Sequence, residues 1–276
     1  MPFTTTTTCL HLEADVKLHI EMSFPTKPQY SEPIVILLLH FWGGSSRTWA
    51  PVNSLIASFV PTIRIDFRGW GKSVGPADKT AFSVTTLAQD VEQIIIRLDV
   101  RRYILVGHSM GAKVAQAIAG RKRVSGLLGM ILLCPEPPTP LVLLKQMRDQ
   151  QISAYDDGAC AEFVARHILT SKDLSGAIPQ TTVQDMLKGN ASVKRRWPLH
   201  AVREDKGGLA EGISVPLVVA AGEKDKVEQV NRVKAEVSSS IPSVKLIILE
   251  EVGHLALLEA PEKVAEIICD LVSQVT

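Results

Sequence analysis

The sequence predicts an α/β fold: a mostly parallel central sheet flanked by helices and interrupted by one helical insertion. Three observations carry that expectation. Short apolar runs recur along the chain, as in Ile34-Val35-Ile36-Leu37-Leu38-Leu39 and Leu127 to Cys134, and such runs suit strands buried on both faces of a sheet. Stretches with helical spacing of apolar residues stand between them, as from Val84 to Leu98. The alternation then stops between Glu136 and about Gly212. That segment opens on Pro135-Glu136-Pro137-Pro138-Thr139-Pro140, has no strand-like run and carries several amphipathic helical stretches.

Taken in order, Cys9-Leu10-His11-Leu12 and Val16 to Met22 alternate around Ala14-Asp15 and predict an antiparallel hairpin. The threonines before it are the one low-complexity patch. Ile34 to Leu39 predicts a central strand, ending in the glycine-rich His40-Phe41-Trp42-Gly43-Gly44-Ser45-Ser46 and a helix from Trp49 to Phe59. Thr62 to Asp66 reads as a strand, followed by the loop Phe67 to Ser73. Val84 to Leu98 reads as a helix with Ser83 as N-cap. Tyr103-Ile104-Leu105-Val106 is a strand running into Gly107-His108-Ser109-Met110-Gly111 and a helix from Ala112 to Ala119. Pro216 to Ala221 and Val244 to Leu249 are further strands, and a helix from Pro261 to Val275 closes the chain, with proline suited to its first turn.

The 276 residues suit one large domain, or one domain with an insertion. Lys and Arg number 30 against 29 Asp and Glu, which argues against a nucleic-acid partner or an anionic membrane. A small, weakly charged substrate fits that balance. Cys9, Cys134, Cys160 and Cys269 form no CxxC pair, so reduced thiols are expected, with Cys134 and Cys269 in the core. The N-terminus lacks a secretory pattern and no apolar run is long enough to span a bilayer. The expectation is a cytoplasmic protein with no metal and no cofactor; the sequence is silent on oligomeric state.

Gly107-His108-Ser109-Met110-Gly111 matches the G-x-S-x-G pattern, in which serine sits on a sharp strand-to-helix turn. Its context strengthens it, because a buried strand precedes and a small-residue helix follows. A nucleophilic serine needs a base, and the base an orienting acid. His254 lies in Glu251-Val252-Gly253-His254-Leu255, after the last strand, and Asp225 follows the strand ending at Ala221, with Glu223 as a competing acid. Both fall at the C-terminal edge of the expected sheet, where catalytic groups collect. His40, His108, His11 and His19 read as structural. Lys194-Arg195-Arg196-Trp197 reads as a solvated basic face, although Trp197 is also a candidate roof for a pocket.

With the order Ser109, Asp225, His254 on the page, the chain resembles α/β-hydrolase fold proteins. It is most similar to the capped group of serine esterases, cofactor-free haloperoxidase-like perhydrolases, lactonases and carbon–carbon bond hydrolases. The resemblance covers about residues 30 to 135 and 212 to 276. Asp66-Phe67-Arg68-Gly69-Trp70-Gly71-Lys72-Ser73 looks like the D-x-R-G-x-G-x-S loop of that family, and Gly253-His254 with Glu259 and Pro261 looks like its G-H-x-x-x-x-E-x-P segment. It implies an α/β-hydrolase core in residues 1–135 and 212–276, with a helical cap inserted at 136–211. It also implies a catalytic triad of Ser109, Asp225 and His254 and an oxyanion hole from the amides of Met110 and Trp42. Phe41 stands where the family has glycine, which predicts a rearranged loop if that glycine needs a conformation closed to larger residues. Phe41 and Trp197 are the candidate substrate-binding residues. The implied activity is hydrolysis of a small to medium carboxylic ester or lactone. Carbon–carbon hydrolysis, perhydrolysis and a small-molecule receptor are the alternatives.

Overall fold

In the computed structural model, described over residues 2–27, 32–76, 78–171, 180–238 and 244–276, one sheet organises the chain. Its strands are β1 (Phe3–Glu13), β2 (Val16–Pro25), β3 (Val35–Leu39), β4 (Thr62–Ile65), β5 (Tyr103–His108), β6 (Leu127–Leu133), β7 (Leu217–Gly222) and β8 (Val244–Leu249). They lie in the order β1-β2-β4-β3-β5-β6-β7-β8. Strands β1 and β2 form an antiparallel hairpin and β2 pairs antiparallel with β4; every later pairing is parallel. The hairpin is longer than its alternation predicts, because Thr4 to Thr8 pair with Phe24 to Ile20. β-Branched threonines suit the exposed face of such an edge strand.

Alternation along the central strands decides the layers. Leu37 and Leu39 of β3 pack into one apolar cluster and Ile36 and Leu38 into another. The first cluster takes in α2 (Val84–Arg97) and α3 (Met110–Arg121); the second takes in α1 (Ala50–Ile56), α10 (Ala256–Glu259) and α11 (Pro261–Val275). The expected start of α2 is found, with Ser83 extended and its hydroxyl accepting from the Thr86 amide at 3.0 Å. Helix α11 begins at Pro261, as its sequence predicts. The first helix is shorter than Trp49 to Phe59, because Ser46–Trp49 forms a 3-10 turn before α1. Cys134 is buried, and Cys269 is half-buried and packs against the second cluster.

Between β6 and β7 the chain forms α4 (Lys145–Ser153), α5 (Gly158–Phe163), α6 (Gln180–Lys188), α7 (Ala191–Leu199) and α8 (Gly207–Ala210), with no strand among the described residues. Residues 172–179 of the expected insertion lie outside the described ones. Chain connections reverse direction between β3 and β5: β3 leads outward to β4, and β4 leads back across β3 to β5. The crevice at the C-terminal ends of the strands at such a reversal is where α/β sheets bind ligands.

Candidate active site

Ser109 stands at that point, between β5 and α3, with φ +54° and ψ −115°. Side chains other than glycine rarely take this conformation, and it is held by its surroundings. The Ser109 amide donates to Leu133 O at 3.0 Å, and its carbonyl accepts from Ala112 and Lys113 at 2.9 and 3.2 Å. The flanking glycines are needed for close approach. A Cβ at Gly107 would overlap the Gly111 carbonyl, and one at Gly111 would overlap the carbonyl oxygen of Leu39. The turn therefore presents Ser109 on the wall of a cavity of about 480 Å³, which His254 also lines.

His254 Nδ1 lies 2.8 Å from Asp225 Oδ2, both side chains being buried. The second oxygen, Asp225 Oδ1, accepts from the amides of Val227 and Glu228 at 2.8 and 2.9 Å. Glu223, the competing acid, is exposed and accepts instead from the Glu251 amide at 3.0 Å. The loop carrying His254 is anchored by Glu259, whose carboxylate accepts from the Gly253 amide at 3.1 Å and from the Ser171 amide at 3.0 Å. That explains the spacing from Gly253 to Glu259 seen in the sequence.

Two further histidines brace the site. His40 Nε2 accepts from the Phe67 amide at 3.1 Å, so Nδ1 carries the proton and donates to Phe41 O at 2.7 Å. Burial lowers its pKa, which keeps it neutral. His108 Nε2 donates to His254 O at 2.7 Å, and burial holds its pKa well below the usual imidazole value, with His254 acting in the same direction. Asp66 joins the glycine-rich loop to its own loop by accepting from the Ser46 and Lys72 amides. Arg68 Nε pairs with buried Asp90 at 2.6 Å.

Phe41 is not held in the left-handed backbone region. Its φ is negative, and the positive value falls at Gly43, φ +100°, in a turn closed by the Gly44 amide on Phe41 O at 2.9 Å. That is the position at which a type II turn requires φ above zero. The Phe41 ring is buried and lies 5.3 Å from the ring of His108. Met110 is the first residue of α3, so its amide has no acceptor within the helix. Trp42 stands in the turn facing the cavity, with its carbonyl accepting from Tyr155 Oη at 2.9 Å and its ring 4.3 Å from the Tyr155 ring.

Trp197, on α7, is buried and lines the cavity. The basic run before it is not simply a solvated face, because Lys194 Nζ donates to Tyr155 O at 2.9 Å. Sequence reasoning passed over Tyr155, Glu136, Glu228 and Arg232, all of which line the same cavity. Glu136 follows β6 directly, at the same sheet edge as the other site residues, and that position was the available signal. Nothing in the sequence marks Tyr155.

His108, Cys134 and His254 each bring one potential metal-ligand atom within 4.8 Å of the others. The tautomer set by the hydrogen bonds above commits His108 Nε2 and His254 Nδ1, and burial pushes the Cys134 thiol up, away from thiolate. Among the described residues no helix is long and apolar enough to cross a membrane.

Residues 36–267 match the family model described as the alpha/beta hydrolase family. A Bacillus subtilis protein provisionally named 2-succinyl-6-hydroxy-2,4-cyclohexadiene-1-carboxylate synthase is 26% identical over 269 residues, covering 90% of this chain and 93% of its own. A bromoperoxidase from Bacillus anthracis superposes with a TM-score of 0.84 at 15% identity, over 97% of this chain and 100% of that one. The enol-lactonase from Burkholderia xenovorans LB400 gives 0.80 at 18% identity, over 94% and 98%. With the family model spanning both halves of the sheet, the elbow at Ser109 and the loops of Asp225 and His254, the chain belongs to the alpha/beta hydrolase family.

Proposed function

We propose that this chain is a serine hydrolase that cleaves a small to medium carboxylic ester or lactone through an acyl-enzyme. One observation carries the reading: His254, whose Nδ1 lies 2.8 Å from buried Asp225, lines one cavity with a serine held at φ +54°. Ser109 Oγ attacks the acyl carbonyl while His254 Nε2 takes its proton. Asp225 holds the imidazole with Nδ1 protonated and stabilises the imidazolium that forms. The tetrahedral oxyanion rests on the amides of Met110 and Trp42, the first of them at a helix N-terminus. His254 returns the proton to the leaving alkoxide. Water, deprotonated by the same imidazole, then attacks the acyl-enzyme, releasing the acid and restoring Ser109.

The helices of residues 136–211 act as a cap in this scheme. Tyr155, in the turn between α4 and α5, and Trp197, on α7, come from this segment, and with Phe41 and Trp42 they supply an aromatic wall suited to the apolar part of a substrate. Purified protein should hydrolyse short-chain p-nitrophenyl esters and be labelled by a fluorophosphonate, and Ser109→Ala should lose both. A folded protein that shows neither would overturn the reading and favour a ligand receptor on the same scaffold.

A further inference from the structure

Two polar side chains of the cavity wall differ in what they hold. Arg232, on the short helix α9 (Val230–Val233), donates to Glu228 Oε2 at 2.8 Å and to Glu236 Oε1 at 3.2 Å, both in its own stretch of chain. Tyr155, from the inserted segment, donates instead to the loop that carries a proposed oxyanion amide, meeting Trp42 O at 2.9 Å. That loop makes a turn from Phe41 to Gly44. Phe41 O is held from within, by His40 Nδ1 at 2.7 Å and the Gly44 amide at 2.9 Å. Trp42 O has no partner other than Tyr155 among the described residues, and the Trp42 amide donates to none of them.

Type I and type II turns differ by a reversal of their central peptide, here the one joining Trp42 to Gly43. Glycine at the third position accepts either turn. The local sequence therefore leaves both open, and the φ of +100° at Gly43 is that of type II. Tyr155 supports this choice by three contacts. Its hydroxyl meets Trp42 O on the side to which the type II peptide turns it, and its ring lies 4.3 Å from the Trp42 ring. The ring also packs so closely on Gly43 that a Cβ there would come within 2.7 Å of it. Tyr155 is itself buried, and its carbonyl accepts from Lys194 Nζ at 2.9 Å. The inserted segment grips the loop a second time, because Asp185 of α6 accepts from Ser45 Oγ at 2.5 Å and from Arg47 Nε at 3.2 Å.

We propose that Tyr155 is a positioning residue for the oxyanion hole: its hydroxyl fixes the Trp42–Gly43 peptide and so keeps the adjoining Trp42 amide preorganised for charge on a carbonyl bound at Ser109. The catalytic consequence rests on the serine-hydrolase reading. Donors already in place need no reorientation as the oxyanion forms, which is their advantage over water. Loss of the hydroxyl frees the peptide to reverse and spreads the turn over two conformations, of which one is competent. Seating of the inserted helices and completion of the oxyanion hole are thereby linked.

The test compares the wild-type protein with Tyr155→Phe, which keeps the stacked ring and removes one oxygen. An alkyl trifluoromethyl ketone is the probe: Ser109 Oγ adds to its carbonyl carbon, the serine proton passes to His254, and the carbonyl π pair becomes an oxyanion. Its inhibition constant should rise about tenfold in the variant, as expected for a lost buried hydrogen bond. The kcat for a p-nitrophenyl ester should fall by a similar factor, while KM moves less than about twofold and Tm less than about 4 °C. Tyr103→Phe is the control, since it removes a buried hydroxyl without a partner among the described residues, at the opposite end of β5 from Ser109. It should leave ketone affinity unchanged. Equal losses in ketone affinity and KM, or equal losses in the two phenylalanine variants, overturn the role. A wild-type protein that binds the ketone, with Tyr155→Phe its equal, removes the role and leaves the hydrolase reading standing. A wild-type protein that neither binds the ketone nor turns over the ester removes both.

Discussion

Asp225 grips His254 with one oxygen and its own loop with the other: Oδ2 lies 2.8 Å from His254 Nδ1, while Oδ1 is fixed by the Val227 and Glu228 amides. The imidazole is thereby held with Nδ1 protonated and Nε2 available to accept. Asp225→Asn keeps the shape but can present an amide to Nδ1, which favours the wrong tautomer. Fluorophosphonate labelling should slow on the order of a thousandfold or more. Glu223→Gln, at the exposed competing acid, should change the labelling rate less than about twofold. Equal losses in the two variants would remove Asp225 from the orienting role.

The φ of +54° at Ser109 stores strain that glycine does not feel. Ser109→Gly should be more stable than Ser109→Ala by about 1 kcal/mol, while both lose labelling. Thermal denaturation of the two variants side by side checks this. A glycine variant no more stable than the alanine one would mean the elbow is not strained.

Arg68 and Asp90 are each almost wholly buried and make their main charge pair with one another. Removing one partner leaves a buried charge uncompensated. Arg68→Met should therefore destabilise the protein by about 3–5 kcal/mol in urea unfolding, much more than an exposed pair is worth. Replacing the exposed Arg101, whose partner is Asp99, should leave the urea midpoint nearly unchanged.

Glu228 faces Glu136, Arg232 and Asp225, and burial is the largest cause of its raised pKa. From the unfolded value of about 4.3 up to its folded value, the native state binds more protons than the unfolded chain. The contribution of Glu228 is therefore fully present below the unfolded value and is lost as pH rises through the folded one. Glu228→Gln removes that loss. Its Tm relative to wild type should climb as pH is raised from about 4.5 toward the alkaline side. The buried His40 and His108 act in the opposite sense, losing stability as pH falls below about 6.5, but they are common to both proteins and cancel in the difference. Parallel Tm curves would mean that the Glu228 carboxyl is not raised in the folded protein.

Much of this molecule is legible one segment at a time. The elbow at Gly107 to Gly111 is marked because its backbone needs glycine at both approaches, and Glu259 is marked by its spacing from Gly253. Segments whose role depends on what lands opposite them are not legible in that way. Phe41, in a position that suggests a strained loop, has an ordinary φ because Gly43 takes the positive one. The basic run at Lys194 gives no sign that Tyr155 will accept its ammonium or that Trp197 will be buried.

The sequence by itself determined the strand and helix periods, the sharp turn at Ser109 and the loops of Asp225 and His254. These depend on short-range backbone sterics and on which face of a strand or helix is apolar, and both are written locally. Tertiary structure alone decided that Glu136, after β6, and Glu228, after β7, would meet beside Arg232. The parallel pairing of β6 with β7 puts their C-terminal ends side by side, across a stretch of chain that carries no pattern linking them. The buried carboxyl pair beside a guanidinium, and the burial that raises the Glu228 pKa, arise from that juxtaposition and from the low dielectric around it, neither of which any single segment encodes.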